Sequence, residues 1–259
     1  MRKPVLLVDR VNHVVTLTLN RPNQFNALSE ELLSALEKAL ENLVTDDDLR
    51  CVVLAASGKA FCAGHDLKQM RTHTEHSYYR TLFHQCSRIM QAIVGLPVPV
   101  IARVHGTATA AGCQLVASCD MAVASSEAQF AVSGINYGLF CSTPAVALTR
   151  AVPRKKAFQM LMTGEFITAR DALEHGLINQ VVEPDQIDAA VQSLVDIICS
   201  KSPVAVRTGK SMVYRQMGMS LKDAYDYASA VMAGNMMTHD VAEGLDAFFH
   251  KRPPVWKGR

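Results

Sequence analysis

The 259-residue sequence has no long hydrophobic run, no concentration of charge of either sign and no paired-cysteine motif, and each absence removes a class of function. No apolar stretch reaches bilayer-spanning length, so membrane insertion is not expected. Lys+Arg 26 against Asp+Glu 24 leaves a net charge of +2. A protein that grips nucleic acid by neutralising phosphates wants a concentrated basic face, so no nucleic-acid partner is expected. The cysteines (Cys51, Cys62, Cys86, Cys113, Cys119, Cys141, Cys199) are odd in number and scattered. They read as free buried thiols in a reducing compartment. The opening segment carries Asp9, Arg10, Asn12 and His13 where a signal peptide would need an unbroken apolar core. The expectation is a cytoplasmic globular protein.

Familiar catalytic signatures are missing as well. There is no GxSxG elbow, no dinucleotide fingerprint and no HxE followed by the PCxxC of a zinc deaminase. Lys59 lacks the spaced glycines and the following Ser or Thr of a Walker loop. His73, His76 and His84 have no carboxylate or cysteine at conventional ligand spacing, so no metal is expected.

What is present is an α/β pattern. Residues 5–8 and 14–19 flank a polar stretch at 9–13 and suggest a hairpin. Ser29 stands at a helix cap, with Glu30 and Glu31 in the first turn and Leu32, Leu36, Leu40 and Leu43 at helical spacing. Residues 51–56 form a continuous apolar run that suits a strand covered on both faces. The grammar recurs: strands at 99–104 and 120–124, helices at 110–118, 142–151 and 154–163, and a capping box from Thr168 to Asp171. Residues 181–182 read as extended and 185–200 as amphipathic. Beyond Pro203 only helical patterns occur, at 204–215, 221–237 and 241–250. The division is a body at 1–200 and an all-helical region at 201–259, which has little core of its own and is expected to pack on the body or on a neighbouring subunit.

Two loops follow predicted strands. Ser57 to Leu67 holds Gly58 and Gly64, which also read as plain turn residues. His105 to Gln114 is a run of very small residues leading into a helix. Amides at Ala110, Ala111 and Gly112 lie where a helix leaves N–H groups unpaired, an arrangement suited to negative charge developing on a substrate oxygen. Cys113, among apolar neighbours, reads as a packed thiol.

Around these loops the sequence resembles the enoyl-CoA hydratase/isomerase family, the crotonase superfamily, and the resemblance covers nearly the whole chain. It rests on blocks in family order: Asn20-Arg21-Pro22 with Asn26-Ala27-Leu28, 61–67, 97–102, Gly112-Cys113 with Cys119-Asp120, 128–130, 161–164, 169–177 and 248–252. Within the family it is nearest to enoyl-CoA hydratase domain-containing proteins. The resemblance implies a crotonase-like spiral of ββα units with a C-terminal helical trimerisation region, assembled as a homotrimer or a dimer of trimers. It implies a coenzyme A thioester as substrate or ligand and no prosthetic group. The thioester carbonyl is then held by the backbone N–H groups of His65 and Ala111. Adenine contacts fall to the segments Asn26, Ala27, Leu28 and Ala63, Asp66, Leu67, and a CoA phosphate contact to Lys251.

The departures from the family pattern are specific. The two hydratase glutamate positions are Gln114 and Gly134, and a third acidic position of dienoyl-CoA isomerases is Ser142. Gln114 can orient water but cannot take its proton. His65 and Cys141 are the remaining groups able to accept a proton, while Asp66 is expected to organise the first loop. Asn136, Tyr137, Cys141 and Ser142 are expected along the acyl pocket, with Phe61, Tyr78, Tyr79, Phe83, Phe140 and Phe158 as further apolar candidates. Three readings stay open: an enzyme acting on acyl-CoA by a modified route, residual hydratase or isomerase activity carried by the oxyanion hole, and a non-catalytic acyl-CoA-binding or regulatory protein.

Overall fold

The computed structural model describes residues 3–259. The chain opens with the hairpin β1 (Leu6–Val11) and β2 (Val14–Leu19). Its turn is tighter than the polar stretch suggested. Val11 pairs with Val14, and Asn12 takes the left-handed conformation (φ 53°), as a two-residue turn requires. Helix α1 (Glu30–Val44) starts where Ser29 accepts from the Leu32 amide, and its apolar stripe is buried.

From here one unit is laid down repeatedly: a strand for one sheet, a short strand for a second sheet, then a helix. The first consists of β3 (Cys51–Ala56), β4 (Ala60–Cys62), α2 (Leu67–Arg71) and α3 (His76–Gly95). The second is β5 (Val100–Val104), β6 (Thr107–Thr109) and α4 (Ala111–Ser118). The third is β7 (Met121–Ser125) and β8 (Gln129–Ala131), followed by α5 (Ser142–Ala151) and α6 (Arg154–Thr163). The body closes with β9 (Ile167–Thr168), α7 (Ala169–Glu174), β10 (Gln180–Val182) and α8 (Ile187–Cys199). The expected Thr168–Asp171 capping box is formed at α7.

The larger sheet has the order β1-β2-β3-β5-β7-β10, and every pair after the hairpin is parallel. β3 is buried along its whole length, as its unbroken apolar run requires. The smaller sheet, β4-β6-β8-β9, corrects the sequence reading, which took 57–67 and the stretch at 105–109 ahead of the helix as loop. Its strands are two or three residues long, too short for any periodicity to register.

The chain ends in α9 (Pro203–Gln216), α10 (Leu221–Met236) and α11 (His239–Phe249). Polar tethers hold α9 to the body. Arg207 donates to the carbonyls of Asp46, Asp47 and Leu49. Lys210, its side chain 6% exposed, reaches the carbonyls of Ile93 and Val98 and the Asp120 carboxylate at 2.7 Å. The outer faces of α10 and α11 are different, leaving Leu221, Tyr225, Met232 and Phe248 largely exposed. Among the described residues no single helix is long and apolar enough to cross a membrane.

Candidate active site

Three parallel neighbours in the smaller sheet set out the site. β4 pairs with β6, and β6 with β8. Chain leaving Cys62, Thr109 and Ala131 therefore emerges side by side, and the next few residues include His65, Ala111 and Gly134. Ligands commonly lie at such strand ends, where diverging loops leave a crevice.

Close backbone approach joins the first two loops. A Cβ on Gly64 would stand 3.3 Å from the Ala111 nitrogen and 2.9 Å from the Ala110 Cβ. One on Gly112 would run into the Cys62 carbonyl oxygen. Between them Ala110 sits at φ 51°, ψ −119°, a conformation unfavourable for a residue with a side chain. Its amide is tied to the Ala131 carbonyl at 3.0 Å. Among the described residues no backbone carbonyl accepts from the amide of His65 or of Ala111. Two unpaired donors on adjoining segments can together stabilise an oxyanion.

The first loop is braced from behind. The Leu28 amide donates to the Gly64 carbonyl (2.8 Å), the Asp66 amide to the Leu28 carbonyl (3.2 Å) and the Ala63 amide to the Phe25 carbonyl (3.0 Å). The segments 26–28 and 63–67 are thus brought together. The Asn26 side chain is turned inward: fully buried, it donates to Ser57 and Ala60 and accepts from the Arg21 amide. Leu28 is also buried, whereas Leu67 is about half exposed. Asp66 organises the loop, capping α2 through the Gln69 amide and pairing with Arg21 at 3.0 Å. Partial burial raises its carboxyl, but the Arg21 and Gln69 hydrogen bonds outweigh this and hold it below the usual carboxylate range.

Beside the unpaired amides lies a mainly apolar cavity of about 190 Å³. Its lining includes His65, Ala63, Ala110, Ala111 and Gly134 together with Tyr137, Cys141 and Ser142. Of the aromatic candidates, Phe83 and Phe140 reach the cavity. Phe61 is a core residue, Phe158 lies largely exposed, and Tyr78 and Tyr79 donate to Glu30 and His73 instead. Asn136 turns to the Gly164 carbonyl, and Lys251, at the end of α11, is not among the lining residues. Met70, Leu139, Thr143 and Pro144 also line it without having been anticipated. Met70 carried the one available signal, since it falls four residues after the Asp66 cap, on the same side of α2.

Among the described residues no carboxylate lines this cavity. Gln114, one turn into α4, is buried with its Oε1 unpartnered. Gly134 has no space for a side chain, since a Cβ there would meet the Leu139 carbonyl oxygen at 2.6 Å and Cys141 Sγ at 2.7 Å. Burial raises the Cys141 thiol against the opposing effect of the Gly134 amide, and burial pushes Cys113 up to about 12. Both are protonated thiols at neutral pH. Burial lowers His65 to about 4, keeping its imidazole neutral. Among the described residues no group of three or more His, Cys, Asp or Glu side chains could hold a metal ion.

Against known proteins, the profile described as Enoyl-CoA hydratase/isomerase matches residues 9–259. The Enoyl-CoA hydratase domain-containing protein 3, mitochondrial, of Xenopus laevis is 46% identical over 253 residues, 98% of this chain and 86% of that protein. Its human counterpart is 44% identical, over 96% and 81% of the two chains. The crystal structure of an enoyl-CoA hydratase from Mycobacterium smegmatis superposes with a TM-score of 0.97 at 57% identity, covering 98% of this chain and 99% of the other. The fold is thus the expected crotonase-type spiral. The two curated relatives, named mitochondrial, overturn the expectation of a cytoplasmic protein. Free thiols report a reducing environment but do not distinguish one such compartment from another.

Proposed function

The chain belongs to the enoyl-CoA hydratase/isomerase family, and from that premise we propose that it binds an acyl-CoA thioester with the carbonyl oxygen between the amides of His65 and Ala111. The observation carrying this reading is the pair of unpaired N–H groups on adjoining segments at the mouth of an apolar cavity. Drawing electrons toward the thioester oxygen makes an α-proton more acidic and a conjugated β-carbon more electrophilic. Each preorganised amide lowers such a barrier by about 3 kcal/mol.

The chemistry then differs from hydration by paired glutamates. Gln114 at the first position can hold water by hydrogen bonds but cannot remove its proton, and Gly134 offers no side chain. The cavity supplies polarisation and shape without a strong base, which fits slow hydratase or isomerase turnover dependent on the two amides. The segments 26–28 and 63–67 form the rim expected to meet the adenine, through the exposed Leu67 and the backbone rather than the inward Asn26 side chain. The exposed apolar faces of α10 and α11 favour a homotrimer or dimer of trimers built by the region 201–259, with Lys251 available to a CoA phosphate from there.

A second reading, an acyl-CoA binder without turnover, is favoured by the missing carboxylate and by the closed space at Gly134. One experiment separates the two. The protein is incubated with crotonyl-CoA and with a longer 2-enoyl-CoA in deuterated water, and binding, hydration and deuterium uptake are followed by mass spectrometry. Turnover above the uncatalysed rate, lost on Ala111→Pro in a folded variant, supports the enzyme. Binding without product leaves the binder, and absence of binding sinks both.

A further inference from the structure

Resting on the thioester reading above, we propose that the methyl group of Ala110 is a specificity-determining group that restricts the acyl chain to thioesters unbranched at the α-carbon. Ala110 lines the cavity and directly precedes Ala111, one of the two residues whose amides are unpaired. It is held at φ 51°, ψ −119°, where a Cβ is disfavoured and glycine is at ease. Both of its backbone groups are committed in that conformation. The amide donates to the Ala131 carbonyl and the carbonyl accepts from the Gln114 amide, each at 3.0 Å. The surrounding fold thus imposes the conformation, and the strain comes from carrying a side chain in it. Glycine would follow the same backbone path without that strain. What alanine adds here is a single methyl group at the wall of the cavity.

Covalent geometry fixes where that methyl stands. It lies no more than about 4 Å from the Ala111 nitrogen, the donor for the thioester oxygen. An oxygen held by that amide places the acyl α-carbon one bond beyond the carbonyl carbon. Because Ala110 lines the cavity that receives the acyl group, its methyl meets the substituents on that carbon. The methyl has no room to retreat. Its Cβ is 2.9 Å from where a Cβ on Gly64 would stand, so the first loop already has to do without a side chain there. That loop is itself fixed, since the Gly64 carbonyl accepts from the Leu28 amide at 2.8 Å. A straight chain passes the methyl with a CH2 group. A branch at the α-carbon must either press on it or draw the carbonyl away from the two amides, and both lower affinity.

The test compares butyryl-CoA with isobutyryl-CoA, isomers that differ only in branching at the α-carbon, by calorimetry on the full-length protein. The unaltered protein is expected to bind butyryl-CoA about tenfold more tightly. In Ala110→Gly the preference falls to about twofold or less, through tighter binding of isobutyryl-CoA. The midpoint of thermal unfolding rises by about 2–4 °C as the strain is released. Equal binding of both thioesters by the unaltered protein overturns the inference, as does an undiminished preference in Ala110→Gly. A preference lost only through weaker binding of butyryl-CoA also overturns it, because Ala110 would then act by supporting the Ala111 amide. So does a lower unfolding midpoint, which would remove the strain from the argument. If neither thioester binds the unaltered protein, the thioester reading fails and takes this one with it, an outcome distinct from binding without preference.

Discussion

Cys141 Sγ occupies the space that a side chain on Gly134 would need: a Cβ built at Gly134 falls 2.7 Å from the sulfur and 2.6 Å from the Leu139 carbonyl oxygen. The missing carboxylate at this position is therefore matched by a backbone path that has closed over it. Gly134→Glu is expected to destabilise the protein by about 1–3 kcal/mol through overpacking rather than restore hydration. Thermal unfolding and crotonyl-CoA hydration, measured together, check this. A stable variant with a large gain in rate would show that the loop can reopen.

The junction of the two loops gives a second expectation. A methyl group on Gly112 would strike the Cys62 carbonyl and push α4 away from the His65 loop. Gly112→Ala should lower acyl-CoA affinity about tenfold or more through misplacement of one amide. Ala117→Gly, in the same helix, serves as the comparison. Titration of both variants with butyryl-CoA distinguishes displaced amides from general weakening of α4.

His65 also links stability to pH. Burial lowers its folded-state value to about 4, below the ordinary histidine value of 6.5. The folded state therefore binds fewer protons than the unfolded chain between these limits. The contribution is fully present above pH 6.5 and is lost as pH falls toward 4. Between pH 8 and 5 this one group should remove about 2 kcal/mol, and His65→Leu should lack that component. Urea unfolding of both proteins at the two pH values measures the difference. Parallel losses would place the ring in contact with water.

The helical region predicts assembly. Leu221, Tyr225 and Met232 on α10 are 76, 68 and 71% exposed in one chain, a large apolar surface for a soluble monomer. Sedimentation is expected to give a species of three or six times the 28.3 kDa chain mass. The double variant Leu221→Glu, Met232→Glu should shift it to a smaller one. An unaltered protein sedimenting as a monomer would overturn the assembly.

How much of this was legible beforehand depended on how local each signal was. α1 was readable because Ser29 caps it and its leucines recur at helical spacing, and β3 because six consecutive buried residues leave an unbroken apolar run. β4, β6 and β8 were not, since three residues carry no period. Yet these strands set the site's geometry, and their pairing partners lie tens of residues away. Asp66 was foreseen as a loop organiser, but its partner Arg21 is 45 residues distant and came only from the fold.

The order of motifs along the chain was enough by itself to identify the family, the α/β class and the neutral residues at the glutamate positions, because residue identity is a property of the chain. Only the tertiary structure decided that the Asn26 side chain is turned inward, that Gly134 has no space beside Cys141, and that the His65 ring is buried edge-on to Phe83. Each depends on which atoms fill the surrounding volume, and those atoms come from segments remote in sequence, brought together by parallel strand pairing.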